Sequence, residues 1–485
     1  MMWNFAAWRK KFYLKYSEMF FLILLFTLST AKRLATVKIG VILPMNESSV
    51  FSLHKVMPAI ELAVERVMTN TNLLNGRKIQ VTYADSGCSE TNGPLRAIEM
   101  HLNKTADVFL GPACNYALAP VARYSSSWNI PVITAGGLVT AFRDKSQYKL
   151  LTRVMDSYSN LGHFLKQTLN KYDLSVVALL YSNLVEGTGK SECFFTMEAI
   201  YRASVTNSKP RYQQFHPSDK LEAFKQKLMD ISNHARVIIL CGSPDSIREI
   251  MLAAHELDLD NGDYVFFKID IARSLDELVN EKPWYRENDT QERNEAARKA
   301  YEALMIFTVY TPTSTEYKAF TREIKRRVSK SIMNPEEQVN LFVGAFHDAV
   351  LLYAMALNET LEAKGSISDG RAITARMWNR TFQGITGAVR IDENGDRDGD
   401  YSLLDLNPTS GLFEVVANYY GNRKRYEAVD GRMIHWAGGR TGPPTHPPKS
   451  GFDGSKCQHG GSLRLYNGLP YYLVAMVIFV MISAI

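Results

Sequence analysis

Val37 to Leu43 reads VKIGVIL and stops at Pro44. An almost continuous apolar run of this length, closed by a proline, predicts a buried strand. Outward from it, Val56, Ile60, Ala63, Val64 and Val67 recur at the 3.6-residue period of a helix. Lys78 to Tyr83 alternates as a strand does. Asp107 to Leu110 (DVFL) is a further buried strand, closed by Gly111-Pro112, and Pro131 to Thr134 opens another. The rhythm restarts after residue 150, with Val176 to Leu180 (VVALL), Val237 to Leu240 (VIIL) and Tyr264 to Phe267 (YVFF) separated by helical segments. Repeated β–α–β alternation with fully apolar strands predicts an α/β fold, a parallel sheet covered by helices on both faces. Two runs of it predict two doubly wound lobes. A long helix is expected from near Pro335, with Val339, Phe342, Val343, Phe346, Val350, Tyr353, Ala354, Leu357 and Leu361 on one apolar face. It reads either as a lobe-connecting helix or as a long core helix.

The ends of the 485-residue chain carry their own signals. Arg9, Lys10, Lys11 and Lys15 precede the apolar run Met19 to Leu28, and Ser29-Thr30-Ala31 supplies small residues for cleavage. That is the pattern of a signal peptide over residues 1–31. Asn46, Asn103, Asn288, Asn358 and Asn379 head Asn-x-Ser/Thr triplets, which become glycosylation sites on a secretory route. Gly438 to Gly454 is rich in Pro and Gly and reads as a stalk, residues 438–468. Leu469 to Ile485 has no charge and lies at the short edge of a membrane span. Three readings of that tail stand: a truncated transmembrane helix, a minimal tail anchor, and a glycolipid-anchor signal following Gly460-Gly461-Ser462. The expected location is the cell membrane, single-pass with an extracellular N-terminus; the alternatives are glycolipid anchoring and secretion. The net charge of +6 is small for the length and no long basic tract occurs, so nucleic acid is not an expected partner.

The five cysteines are Cys88, Cys114, Cys193, Cys241 and Cys457. Secreted cysteines usually pair. The simplest arrangement is local, Cys88 with Cys114 and Cys193 with Cys241, although spacing alone does not decide a pairing. Cys457, left over in the stalk, is a candidate for an interchain bridge.

FSLHKVMPAIELAVERV (Phe51 to Val67), VFLGPACNYALAPVAR (Val108 to Arg123), ECFFTMEAIY (Glu192 to Tyr201) and WNRTFQGITGAVRIDENGDR (Trp378 to Arg397) resemble the natriuretic peptide receptor family, most of all its clearance type, which has no cyclase. The resemblance runs from about Val37 to the stalk. It implies two lobes of the type I periplasmic-binding-protein class within residues 32–437. The chain then crosses between lobes, one formed by 32–148 plus 272–362 and the other by 149–271 plus 363–437, before the stalk and a transmembrane segment at 469–485. It implies a homodimer, joined through the ectodomain and Cys457, with a peptide hormone between the two copies. The hormone contacts implied are Glu90, Tyr116, Arg123, Phe194, Glu198, Tyr201, Gln214 and Phe215. Their chemistry suits a basic, partly apolar peptide, since aromatic rings supply area and glutamates pair with Arg or Lys. The resemblance also implies a structural chloride held by the Ala113 and Cys114 N–H groups and the Ser86 hydroxyl, at a turn that opens a helix near Asn115. A helix N-terminus is a natural anion site. Here the family more often has Gly at position 113 and a longer segment before Cys88. Gln214 stands where the family can carry an acid, and the 183–192 loop is longer.

Other constellations are weaker. Asp392-Glu393-Asn394-Gly395-Asp396 resembles part of a calcium loop but lacks the sixth-position Gly and the twelfth-position Glu, so a turn is expected, with strand-like segments at Ala388 to Ile391 and Tyr401 to Leu404. The ten histidines show no zinc spacing, and His347-Asp348 on the long helix is expected in a core or interface. No nucleophile elbow or Walker loop occurs, so neither an enzyme nor a metal protein is expected, and no cofactor beyond the chloride. Two rivals to the hormone receptor remain: a small-molecule sensor of the same fold with its ligand between the lobes, and a truncated or decoy form of a receptor guanylate cyclase.

Overall fold

A computed structural model describes residues 35–70, 73–184, 189–205, 209–328 and 339–452. The signal-peptide segment, Pro335, Cys457 and the apolar tail lie outside the described residues.

The first lobe is built from β1 (Val37–Leu43), α1 (Leu53–Thr69), β2 (Ile79–Asp85), α2 (Asn92–Leu102), β3 (Val108–Leu110), α3 (Asn115–Trp128), β4 (Val132–Thr134) and β5 (Leu151–Arg153). Its five strands run in the order β2-β1-β3-β4-β5, all parallel. β1 is buried at every residue but Lys38, as its apolar run requires. The stripe Val56, Ile60, Ala63, Val64 and Val67 packs α1 on the sheet. Gly40 is required where β1 meets α2: a Cβ there would lie 2.7 Å from the Met100 sulfur and 2.9 Å from Ala106 Cβ.

The chain then crosses to a second lobe through α4 (Tyr158–Lys171), β6 (Val177–Ser182), α5 (Glu192–Ser204), β7 (Arg211–Phe215), α6 (Leu221–Ser232), β8 (Val237–Cys241), α7 (Pro244–Glu256), β9 (Val265–Ile269), α8 (Leu275–Asn280), α9 (Gln291–Ala300) and β10 (Leu304–Val309). It returns to the first lobe by α10 (Thr315–Arg327), α11 (Leu341–Glu362) and α12 (Gly370–Met377), makes the hairpin β11 (Arg380–Gly384) and β12 (Gly387–Ile391), and ends in the second lobe with β13 (Tyr401–Leu406), β14 (Phe413–Tyr420) and β15 (Arg425–Ala428). The second sheet has eight strands in the order β15-β14-β13-β10-β9-β8-β6-β7. β7 to β10 and β6 are parallel, and β13 to β15 extend the sheet antiparallel beyond β10.

The lobe boundaries differ from those expected. β5 hydrogen-bonds to β4 and extends the first sheet past residue 148. β10 pairs parallel with β9, so the return crossing follows Val309 rather than preceding residue 272. Residues 363–437 divide, because α12 packs on α11 while β13 to β15 join the second sheet. In each case the ladder hydrogen bonds of an apolar strand decide which sheet it enters.

α11 is a long core helix. It packs on α1 and α12, and His347 and Asp348 on it are both fully buried. Arg66 Nη1 lies 3.0 Å from His347 Nε2, and the Asp348 carboxylate accepts from the Ile385 and Thr386 N–H groups at 2.7 and 3.0 Å. The helix is apolar and long enough to cross a membrane, yet 83% of its most apolar window is buried.

Asp392 to Asp396 forms a turn: Asp392 Oδ1 accepts from the Asn394 and Asp396 N–H groups at 2.9 and 2.8 Å. Its flanking strands do not pair with each other, since β12 belongs to the small hairpin and β13 to the second sheet. The turn lies on the last crossing. Asp396 is tied there to Arg153 Nε at 2.6 Å and Lys145 Nζ at 3.1 Å, with Arg153 fully buried. Burial works most strongly against the Asp396 charge, but Arg153, Lys145 and the Asn394 amide together outweigh it and hold the carboxyl down at about 2. Among the described residues no cluster of His, Cys, Asp or Glu is arranged to hold a metal ion.

Candidate ligand-binding site

β6, α5 and β7 build an open groove of about 480 Å³ on the second lobe. Helical spacing puts Phe194, Met197, Glu198 and Tyr201 on one side of α5. Strand alternation puts Tyr212 and Gln214 on the same face of β7. Tyr181 of β6 forms the floor and accepts a 2.9 Å hydrogen bond from Gln214 Nε2. The Ser191 hydroxyl caps α5 by accepting from the Phe194 N–H at 3.1 Å, which sets the helix where it exposes this face. The Cys193–Cys241 disulfide anchors the first turn of α5 to the end of β8, with Cα atoms 5.5 Å apart.

The groove carries apolar area with a polar rim. Tyr201 and Tyr212 meet edge to face at 6.3 Å, and Lys190 Nζ lies 5.1 Å from the centre of the Phe194 ring. Glu198 pairs with Arg202 at 2.7 Å on the exposed side of α5. An incoming cation would compete with Arg202 for that carboxylate.

Four of the expected contacts, Phe194, Glu198, Tyr201 and Gln214, therefore share one surface. Tyr116 reaches towards it from the first lobe. Its hydroxyl accepts from the Lys190 N–H at 2.8 Å and its ring lies 6.0 Å from Phe195. Gly189 lies under that ring, where a Cβ would come within 2.2 Å of Tyr116. Glu90 is exposed in the loop after Cys88, outside the groove. Arg123 is also outside it, donating to Gln147 at 3.1 Å and the Tyr148 hydroxyl at 2.8 Å. Phe215 corrects the expectation: it is 1% exposed and its ring packs on Phe224 in the second core. As the neighbour of Gln214 on a strand it must face the opposite side of the sheet. Tyr181, Lys190, Met197 and Tyr212 line the groove and were not anticipated. Period-two alternation from Gln214 was the signal for Tyr212; nothing local points to Tyr181.

The turn that opens α3 lies on the first lobe. Cys88 and Cys114 are bonded, with Cα atoms 5.3 Å apart, and α3 starts at Asn115 without a side-chain cap. Ser86 is fully buried beside it; its hydroxyl accepts from the Cys88 N–H at 3.2 Å and keeps a proton to donate. From the other lobe, Glu192 accepts from Asn115 Nδ2 and from the Tyr158 hydroxyl, both at 2.7 Å, so a carboxylate already stands near this helix end.

Asn46, Asn103, Asn288 and Asn379 are exposed, as an attached glycan requires. Asn358 is not: it is 8% exposed, its carbonyl accepts from the Leu74 N–H at 2.9 Å and its amide nitrogen donates to Glu362 at 2.8 Å. The nitrogen that would carry the glycan is occupied inside the fold.

Residues 55–409 match the family described as the receptor family ligand binding region. Atrial natriuretic peptide receptor 3 of Bos taurus is 37% identical over 417 residues, covering 82% of this chain and 74% of that protein. The chain belongs to the natriuretic peptide receptor family. Receptor-type guanylate cyclase gcy-28 of Caenorhabditis elegans is also 37% identical, over 90% of this chain but only 38% of its own length. The chain thus spans well under half of that cyclase. Atrial natriuretic peptide receptor 2 of Rattus norvegicus is 33% identical, over 86% of this chain and 40% of that protein. Among solved structures, the leucine binding protein LivK of Thermotoga maritima superposes with a TM-score of 0.57 at 18% identity, covering 80% of this chain and all of that one. This likeness speaks for the fold alone, two periplasmic-binding-protein lobes.

Proposed function

We propose that this chain is the extracellular ligand-binding region of a receptor for a peptide hormone of the natriuretic type. The observation that carries the reading is the groove, where Phe194, Glu198, Tyr201 and Gln214 from two separate elements present aromatic area beside a carboxylate. A basic peptide with apolar anchors matches that chemistry. The relatives named for natriuretic peptides support it. Glu90 and Arg123, exposed on the first lobe, would meet the peptide from a second copy of the chain. A homodimer is part of the proposal: Leu95 and Leu102, 54% and 72% exposed and two turns apart on α2, are apolar area that a partner copy would cover. Cys457 would add a covalent tie, and the apolar tail would hold the pair at the cell membrane. A chloride at the α3 turn would support the loop that carries Glu90. No enzymatic step is assigned to these residues.

The test is direct binding of a labelled disulfide-cyclised natriuretic peptide to the purified chain. Saturable binding with one peptide per two chains supports the reading. Absence of binding at micromolar peptide rejects it, and one peptide per chain rejects the dimer.

A further inference from the structure

A cationic surface lies where α4 meets the turn between β14 and β15, outside the groove. α4 presents His163 and Lys166 to solvent, about one helical turn apart and so on one face. The turn presents Arg423 and Lys424, and β15 starts with Arg425; all are exposed. The turn is held from two sides. Gln167 of α4 donates through Nε2 to the Lys424 carbonyl at 2.6 Å and accepts through Oε1 from the Tyr426 N–H at 3.1 Å. Arg390 Nη1, on β12, donates to the Asn422 carbonyl at 3.3 Å. Arg143, half-buried at the end of the turn Thr140–Arg143, adds a further cation from the first lobe.

The acids nearby are already engaged. Asp392 lies 3.6 Å from Arg143 and Asp398 lies 3.2 Å from Arg390. Glu427 is shared, 3.5 Å from Arg423 and 3.8 Å from Arg425, and Arg423 also acts on Asp400. Lys166 and Lys424 have no ion-pair partner among the described residues; Lys424 meets Asp398 only through its longer-range field. His163 senses the balance. Desolvation, and after it the charges of Lys424, Lys166 and Arg143, hold its ring below the ordinary histidine range. The local field is therefore positive, and it is carried by separate elements on a surface that Gln167 and Arg390 fix in place. A partner with several anionic groups along a chain matches it, whereas one small anion would meet only one or two of these side chains. Among the described residues the large apolar side chains that stand exposed lie elsewhere, so this surface offers a bilayer no anchor.

We propose that the surface formed by α4 and the β14–β15 turn docks a sulfated polysaccharide, a linear polyanion of the cell exterior. That partner rests on the extracellular reading of the chain. Lys166 and Lys424 pair with sulfates without giving up an ion pair inside the fold. Arg423 and Arg425 add planar guanidinium forks suited to oxyanions, exchanging their shared Glu427 for sulfate. The peptide groove stays open, because none of these side chains lines it.

Binding of the full chain to immobilised heparin, with desulfated heparin and phosphatidylserine vesicles as comparisons, tests this. Saturable binding to heparin is expected at about 0.15 M salt, weakening by about tenfold or more when salt is raised to about 0.4 M. Desulfated heparin and the vesicles should bind at least about tenfold more weakly. Lys166→Ala combined with Lys424→Ala, both on exposed residues, should weaken heparin binding by about tenfold with no change in melting temperature. Lys318→Ala combined with Arg322→Ala removes the same charge from exposed positions on α10 and should leave heparin binding unchanged. Equal loss in the two double variants would make the binding a matter of net charge and overturn the site. No binding at micromolar chain, equal binding of desulfated heparin, or preference for the vesicles each overturns it as well. Tyr201→Ala should weaken peptide and leave heparin binding unchanged, so failure of this surface and failure of the peptide reading are told apart.

Discussion

Tyr201 and Phe215 are both aromatic, and both stand in the second lobe beside the groove. Tyr201 is half-exposed on α5, and Phe215 is sealed in the core against Phe224. Their truncations should therefore separate binding from stability. Tyr201→Ala is expected to weaken peptide binding by about 2 kcal/mol, the scale of an aromatic hot spot, with a melting temperature near that of the unaltered chain. Phe215→Ala should cost about 3–5 kcal/mol in denaturant unfolding, because it empties a packed site. Its peptide affinity, measured on the fraction still folded, should be unchanged. Loss of affinity in folded Phe215→Ala would return that residue to the ligand surface.

At the scale of elements, the crossing before β13 depends on Asp396. Its carboxylate joins the turn to Arg153 at the end of β5, and both groups are out of water. Asp396→Asn leaves Arg153 buried without its counter-charge, which should cost about 3–5 kcal/mol at neutral pH. The pH dependence has a definite sign. The folded carboxyl titrates at about 2, below the unfolded value near ~3.9. Its contribution is therefore complete above about pH 4 and lost as pH falls through about 2. Acid unfolding of the two proteins, followed by circular dichroism, should show this step in the unaltered chain and not in Asp396→Asn. A parallel loss in both would mean that the pair does not stabilise the crossing.

For the whole molecule, the expectation is two lobes per chain and two chains per receptor. Cys457→Ser should convert dimer to monomer on non-reducing electrophoresis; monomer in both lanes would remove the interchain bridge. Leu102→Glu places a charge on the exposed apolar stretch of α2 and should shift sedimentation of the Cys457→Ser protein from dimer towards monomer. Unchanged sedimentation would move the dimer interface away from α2.

Local order accounts for what could be read without coordinates. The apolar runs VKIGVIL, DVFL and VIIL become β1, β3 and β8, because a strand buried on both faces must be apolar throughout. The start of α3 at Asn115 follows from the Gly-Pro turn before it. The two local disulfides, and the grouping of Phe194, Glu198, Tyr201 and Gln214 on one face of α5 and β7, were legible through family resemblance and simple periodicity. Partners distant along the chain were not. β10 and β5 took their sheets from ladder hydrogen bonds with β9 and β4, and an apolar strand carries no label for its neighbour. Asn358 satisfies the glycosylation triplet, yet Leu74 and Glu362 occupy its side chain. Lys166, Arg390 and Lys424 are scattered along the sequence and share one surface only because α4 and β12 both bond to the β14–β15 turn. Sequence by itself determined the elements, the lobe architecture and the family, since these rest on short-range pattern. The lobe boundaries, the core position of Phe215 and the cationic surface were decided by tertiary structure, because burial and charge balance depend on which distant segments close against one another.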